Sequence, residues 1–165
     1  MPLSADPTPP VPVPLAAVTP SDPRVASLYQ EIILSHYRAP KHKGALLGVA
    51  AGVEHQNPLC GDTISMQVQV NDGRITDAAF GARACSITQA TASMLLSRVI
   101  GLSVAEAMQV VAQVERLIEP GTPLSESDAA SLGDLRALAS VIRFPARKAC
   151  VRLVTGAVSD AIALR

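Results

Sequence analysis

The sequence predicts an α+β fold, a small antiparallel sheet of about three strands packed with several helices, and three observations predict it. Strict apolar–polar alternation runs from Ile64 to Asn71 and is followed at once by a turn and a second strand-like run. Apolar residues at helical spacing recur before that hairpin and through most of the chain after it. Proline is concentrated at the start, with eight of thirteen between Pro2 and Pro23 in a stretch without basic residues or a sustained apolar run. That composition separates a disordered, polyproline-like tail, residues 1–23, from one domain, residues 24–165.

The first helix is expected from Arg24 to Tyr37, where Val25, Leu28, Ile32, Ile33 and Tyr37 repeat at helical spacing before Pro40 and Gly44 end the pattern. Val49–His55 offers a third strand. In the main strand Ile64, Met66, Val68 and Val70 share one face, with Ser65, Gln67, Gln69 and Asn71 on the other. Asn71, Asp72 and Gly73 tolerate positive φ and suit a hairpin turn into the return strand "RITDAAF". "SITQ" from Ser86 reads as a capping box whose Gln89 reaches back, which puts Cys85 just before a helix. "SVAE" from Ser103 opens another, with Val104, Ala107, Met108, Val111 and Leu117 as its apolar stripe. After the polar "EPGTPLSESD", Leu132, Leu135, Leu138 and Ala139 indicate a short helix. Pro145 begins the last one, whose stripe includes Ala146, Cys150, Leu153, Ala157 and Ala161. No internal repeat is visible.

Several function classes lose support on composition alone. Neither a basic start nor an apolar segment of roughly 7 to 15 residues marks a secretory signal. No run approaches the roughly 18 apolar residues of a membrane span, although 48% of residues are hydrophobic. A cytoplasmic protein with no membrane partner is the expectation. Fourteen basic residues balance fourteen acidic ones, and two Phe, two Tyr and no Trp leave little for stacking on bases, so nucleic acid is not an expected partner.

Three cysteines cannot all pair, and the wide separation of Cys60, Cys85 and Cys150 is unlike a secreted disulfide framework. Thiolate and carboxylate are zinc ligands by type, so Cys60, Asp62, Cys85 and Cys150 form a candidate set. Each also has an ordinary explanation. Cys-Gly-Asp makes a turn before a strand, Cys85 can be a plain buried cysteine, and Cys150 lies on an apolar stripe. A helix start at Ser86 would favour the Cys85 thiolate, and Arg147 and Lys148 lie within a turn of Cys150. His36, His42 and His55 show no ligand spacing and read as surface or helix-end residues.

From about Ser27 to Leu164 the chain resembles the zinc-containing SufU branch of the IscU/NifU-type iron–sulfur cluster assembly proteins. The resemblance rests on "LYQEIILSHYRAPKHKG", "NPLCGD", "ACSIT" and "GDLRAL...FPARKAC" in that order. The three cysteines and Asp62 fall on the family's cysteine and aspartate positions. Ala149 stands where IscU proteins have a histidine before the last cysteine, and the segment from Glu119 to Ile142 resembles the insertion that marks the SufU branch. Ala84 departs from a glycine common among relatives.

The resemblance implies zinc bound by Cys60, Asp62, Cys85 and Cys150, and an enzyme, a zinc-dependent sulfurtransferase. It would accept persulfide sulfur from the cysteine desulfurase SufS on Cys60 and pass it to the downstream Suf cluster-assembly machinery. Arg147 of the "FPAR" segment would hold an anion or a partner group. Two alternatives stay open: a scaffold on which iron and a 2Fe-2S cluster occupy the same ligands, and a purely structural zinc domain. The missing histidine weighs against the scaffold. The carboxylate, harder and more replaceable than Cys or His, weighs against a structural site.

Overall fold

In the computed structural model, residues 22–49, 52–121 and 123–164 are described, so the proline-rich residues 1–21 lie outside them. The first helix, α1 (Pro23–Arg38), starts one residue before the sequence suggested, because Asp22 and Pro23 make a helix start together. The Asp22 side chain accepts the Arg24 N–H at 2.9 Å, and proline suits the first helical position, where no N–H partner is needed. Its buried stripe is Val25, Ile33 and His36, with Tyr29 and Ile32 half-buried. Leu28 and Tyr37, assigned to that stripe from spacing, sit on its flanks and are exposed.

Strands β1 (Val53–Gln56), β2 (Thr63–Asn71) and β3 (Arg74–Arg83) form one antiparallel sheet in the order β1-β2-β3. The third strand exists, but it starts at Val53 rather than Val49. Asp72 and Gly73 turn the hairpin with φ of 51° and 74°, the left-handed pair that matches strand twist in a two-residue turn. An irregularity between Gln69 and Val70 shifts the register, so that Val70 pairs with Ile75 while Gln69 pairs with Asp77. Ile64, Met66, Ile75, Ala78 and Phe80 fill the buried face. The outer edge of β3 is covered in part by residues 42–44, since Phe80 exchanges backbone hydrogen bonds with His42 and Gly44.

Helix α2 (Ser86–Val99) is buried on nearly every side, which explains why it lacks a strong apolar stripe. No capping box forms at its start: Cys85 occupies the N-cap, and Gln89 Nε2 donates instead to the Ala84 carbonyl at 2.8 Å. Helix α3 (Val104–Leu117) has the expected box, with Ser103 and Glu106 bonding each other's backbone N–H. It buries Ala107, Val110, Val111 and Val114, whereas Met108 is exposed. The polar connection ends in a short α4 (Glu126–Ser131), capped by Ser125. The short helix that follows is a 3-10 helix, Gly133–Val141, burying Leu135 and Leu138 behind Leu132.

Helix α5 (Pro145–Ala163) starts at the expected proline and buries Cys150, Leu153, Ala157 and Ala161. Ala146, one turn before Cys150, is exposed. This helix packs on β1 and β2, α2 packs on β3, and α1 lies across α2 and the 3-10 helix. Two of the histidines read as surface or helix-end residues have structural partners, and His36 does lie in the last turn of α1. His36 is buried between Ser93 and Asp134, at 2.8 and 2.9 Å, and His55 on β1 meets Asp160 on α5 at 2.9 Å. No helix among the described residues is long and apolar enough to cross a membrane.

Candidate metal centre

One end of the sheet meets the start of α2 and the first turns of α5, and the four candidate ligands converge there. Cys60 stands on the turn between β1 and β2, whose base is closed by Asn57 N–H to Asp62 O at 2.8 Å and Gly61 N–H to Asn57 O at 2.9 Å. The Asn57 side chain accepts the Leu59 N–H at 3.0 Å, the kind of local bond that asparagine makes in turns. Gly61 has φ +73°, and a side chain there would be strained, so "CGD" is a turn after all. The same turn places two candidate donors side by side. The turn leaves Cys60 exposed and returns Asp62 to the sheet, where its side chain is buried.

Donor atoms of Cys60, Asp62 and Cys150 all lie within 4.8 Å of one another. Cys85 joins through Cys150, with 3.4 Å between the two Sγ atoms. Cys150 Sγ lies 3.8 Å from Asp62 Oδ2. Zinc bonds of about 2.3 Å to sulfur and about 2.1 Å to oxygen set tetrahedral S···S and S···O separations of roughly 3.8 and 3.6 Å. The Cys85–Cys150 and Cys150–Asp62 separations are within a few tenths of an ångström of these, and Cys60, Asp62 and Cys150 form the compact part of the set, with Cys85 adjoining it through Cys150.

The surroundings treat the ligands differently. Burial pushes the Asp62 carboxyl up, but hydrogen bonds from the Cys85 N–H, the Thr88 hydroxyl and the Cys85 and Cys60 thiols outweigh it and hold the group below the ordinary range. Cys150 is pushed up to about 12 by burial first and by its bond with Cys85 second, so without a metal it is a thiol. Its Sγ lies 3.4 Å from the Ala146 carbonyl, one turn earlier on α5. Cys85 is fixed at its backbone: its N–H donates to Asp62 Oδ2 at 3.3 Å, and its carbonyl accepts the Gln89 N–H at 3.2 Å. Ala84 causes no disturbance, since positive φ outside glycine is confined to His42 and Asp72 among the described residues.

A cleft of about 900 Å³ opens beside the ligands, between α1, the 3-10 helix and the start of α5. Arg147 lines it together with Cys60, Cys85 and Cys150, and its guanidinium stacks 4.6 Å from the centre of the exposed Phe144 ring. Arg147 therefore lines the same cleft as the candidate ligands, as does Arg143. Sequence reasoning missed Thr88, whose hydroxyl lies 3.0 Å from Asp62 Oδ2. The available signal was its place one helical turn after Cys85, the spacing that brings two side chains together at a helix start.

Comparison with known proteins gives a consistent picture. Residues 28–151 match the family described as the NifU-like N terminal domain. The chain is 35% identical over 135 residues to the iron–sulfur cluster assembly scaffold protein IscU of Streptococcus pyogenes serotype M1, covering 82% of each chain. It is 31% identical over 137 residues to the zinc-dependent sulfurtransferase SufU of Bacillus subtilis (strain 168), covering 83% of this chain and 90% of that one. Among solved structures, a putative iron–sulfur cluster assembly scaffold protein for the SUF system from Fervidobacterium islandicum AW-1 superposes with a TM-score of 0.73. That alignment covers 82% of this chain and 97% of the other at 23% identity, and it speaks to the shared fold.

Proposed function

The chain belongs to the NifU-like N terminal domain family, and from that premise we propose that it is a cytoplasmic, zinc-dependent sulfurtransferase of iron–sulfur cluster assembly. Cys60, Asp62, Cys85 and Cys150 hold the zinc, and Cys60 accepts persulfide sulfur from a cysteine desulfurase of the SufS type, for delivery to the downstream Suf machinery. The observation that supports this reading is the clustering of Cys60, Asp62 and Cys150, with Cys85 beside Cys150, where Cys60 is the exposed thiol that stands on a turn rather than at a helix start. A relative of the same length class is named as a zinc-dependent sulfurtransferase, which supports the same assignment.

Bound zinc keeps thiols deprotonated and has no redox chemistry with which to oxidise a persulfide. The remaining work falls to the chain. The Cys60 thiolate attacks the outer sulfur of the donor's persulfide, a new S–S bond forms on Cys60, and the donor's cysteine sulfur leaves with the electron pair. Asp62, Cys85 and Cys150 keep their places through the bonds to Cys85 N–H, Thr88 and the α5 backbone. Arg147, stacked on Phe144 at the cleft wall, holds an anionic group of the donor.

A second reading, a scaffold that assembles a 2Fe-2S cluster on the same ligands, is favoured by the 35% identical relative named as a scaffold. Position 149, before the last cysteine, is alanine here and offers neither a ligand nor an acid–base group. Metal analysis of the chain purified without added metal separates the two. Zinc near one per chain without iron is expected; iron and acid-labile sulfide in place of zinc would establish the scaffold reading.

A further inference from the structure

Thr88 and Thr91 are both fully buried on α2, three residues apart, and their hydroxyls do different things. Thr91 Oγ1 bonds back to the Ile87 carbonyl at 2.6 Å, the ordinary solution for a threonine inside a helix. The equivalent carbonyl for Thr88 is that of Ala84, and it is already taken by Gln89 Nε2 at 2.8 Å. Gln89 is itself held there, because its Oε1 accepts from Lys43 Nζ at 2.8 Å. The Thr88 hydroxyl instead bonds Asp62 Oδ2, at 3.0 Å, with Cys85 Sγ 3.5 Å away. The Cys85 N–H reaches the same oxygen at 3.3 Å. Two donors from one helical turn therefore converge on one carboxylate oxygen, and the carboxylate cannot rotate without breaking both.

We infer that Thr88 is a positioning residue for the metal centre: it holds Asp62 in one orientation beside Cys85, so that Asp62, Cys85 and Cys150 stay in place when Cys60 leaves to take up sulfur. The inference rests on the zinc reading above. It treats the first turn of α2 as more than a mount for Cys85. The turn also supplies the side chain that keeps the carboxylate, the hardest and most replaceable of the four ligands, in place.

The test uses the full chain and zinc ion, with affinity read by competition against a chromophoric chelator and ligand geometry read from the visible absorption of the cobalt(II)-loaded protein. Thr88→Val is expected to weaken zinc binding by about 10–100-fold, the usual cost of losing a hydrogen bond to a metal ligand. Thr88→Ser, which keeps the hydroxyl, restores most of the affinity and the parent cobalt spectrum. In an Asp62→Ala background Thr88→Val has no further effect, because the two residues act through one interaction. An equal loss in both backgrounds, or a serine variant as weak as the valine one, overturns the inference and makes Thr88 a packing residue. Should valine unfold the chain, Thr88→Ala serves in the same comparison. A parent chain that binds no zinc overturns the function proposed above and this inference with it, whereas additive losses in a zinc-binding chain overturn the role of Thr88 alone.

Discussion

The turn that carries Cys60 and the helix starts that carry Cys85 and Cys150 contribute thiols of the same chemistry under opposite constraints. Cys60 is exposed, beside a Leu59 that is 91% exposed, and the turn's hydrogen bonds tie down its base at Asn57 and Asp62. Cys85 is the N-cap of a helix buried on nearly every side, bonded through both its N–H and its carbonyl. Cys150 is buried on α5, which packs on two strands and on α2. Moving Cys150 displaces core, and moving Cys85, although it is exposed, breaks the start of α2. Moving Cys60 displaces a turn. On the proposed reading, one site would combine ligands that hold with one that can leave, a division that a site made only from helix residues would not offer.

The sharpest way to break this contrast is to remove each thiol in turn. Cys60→Ala is expected to lower sulfur acceptance from the desulfurase by roughly 100-fold or more, the scale of losing a nucleophile, while retaining part of the zinc. Cys150→Ala should lose zinc more completely, measured as metal per chain after gel filtration. A Cys60 variant that transfers sulfur normally would dissolve the distinction.

Metal removal tests the holding side. The candidate ligands come from separate elements, so zinc binding is expected to contribute to folding, by about 4 kcal/mol when free zinc is 1,000 times Kd. For a domain of this size that corresponds to a fall in Tm of about 10 °C on chelation. An unchanged melting curve after verified zinc loss would show that the helix starts are ordered without it.

Asp62→Ala follows in size. A loss in zinc affinity at least as large as that of Thr88→Val, on the order of 10–100-fold or more, is expected because a ligand itself is removed, with far-UV circular dichroism unchanged. Affinity and transfer equal to the parent would reduce Asp62 to a turn residue. Acidity should act in the same direction: Cys150 is a thiol across the neutral range, and zinc must displace its proton, so affinity falls by at least about tenfold for each pH unit lowered. A flat profile between pH 6 and 8 would contradict a Cys150 ligand. The smallest effect belongs to residues 1–21. Their deletion, leaving the Asp22 cap, should not change zinc affinity or sulfur acceptance, and loss of either would give the tail a role that its composition does not suggest.

How much of this could be read from residue order differs between the two regions in the same way. The turn was legible because its conformation is local: Gly61 needs positive φ, and Cys60 and Asp62 are two apart. The hairpin and the Ser103–Glu106 box were legible for the same reason. The start of α2 was not. Ser86, Ile87, Thr88 and Gln89 spell a capping box, yet Cys85 takes the N-cap and Gln89 is recruited by Ala84 and Lys43, the latter contact coming from a distant segment. Leu28 and Tyr37 went astray because spacing defines a stripe only to within about one residue on either flank. His36 is the helix-end residue its position suggested, but its burial was not legible because its partners, Ser93 and Asp134, are far away in sequence. The convergence of Cys60, Asp62, Cys85 and Cys150 is likewise tertiary. Resemblance to a family suggested it, and no spacing could.

The central claim, that the turn-borne thiol is the one that carries sulfur, is tested most directly by mapping a trapped persulfide. After incubation with a cysteine desulfurase and cysteine, alkylation and peptide mass spectrometry should find the added sulfur on the peptide containing Cys60. Its appearance on Cys85 or Cys150 alone would contradict the account.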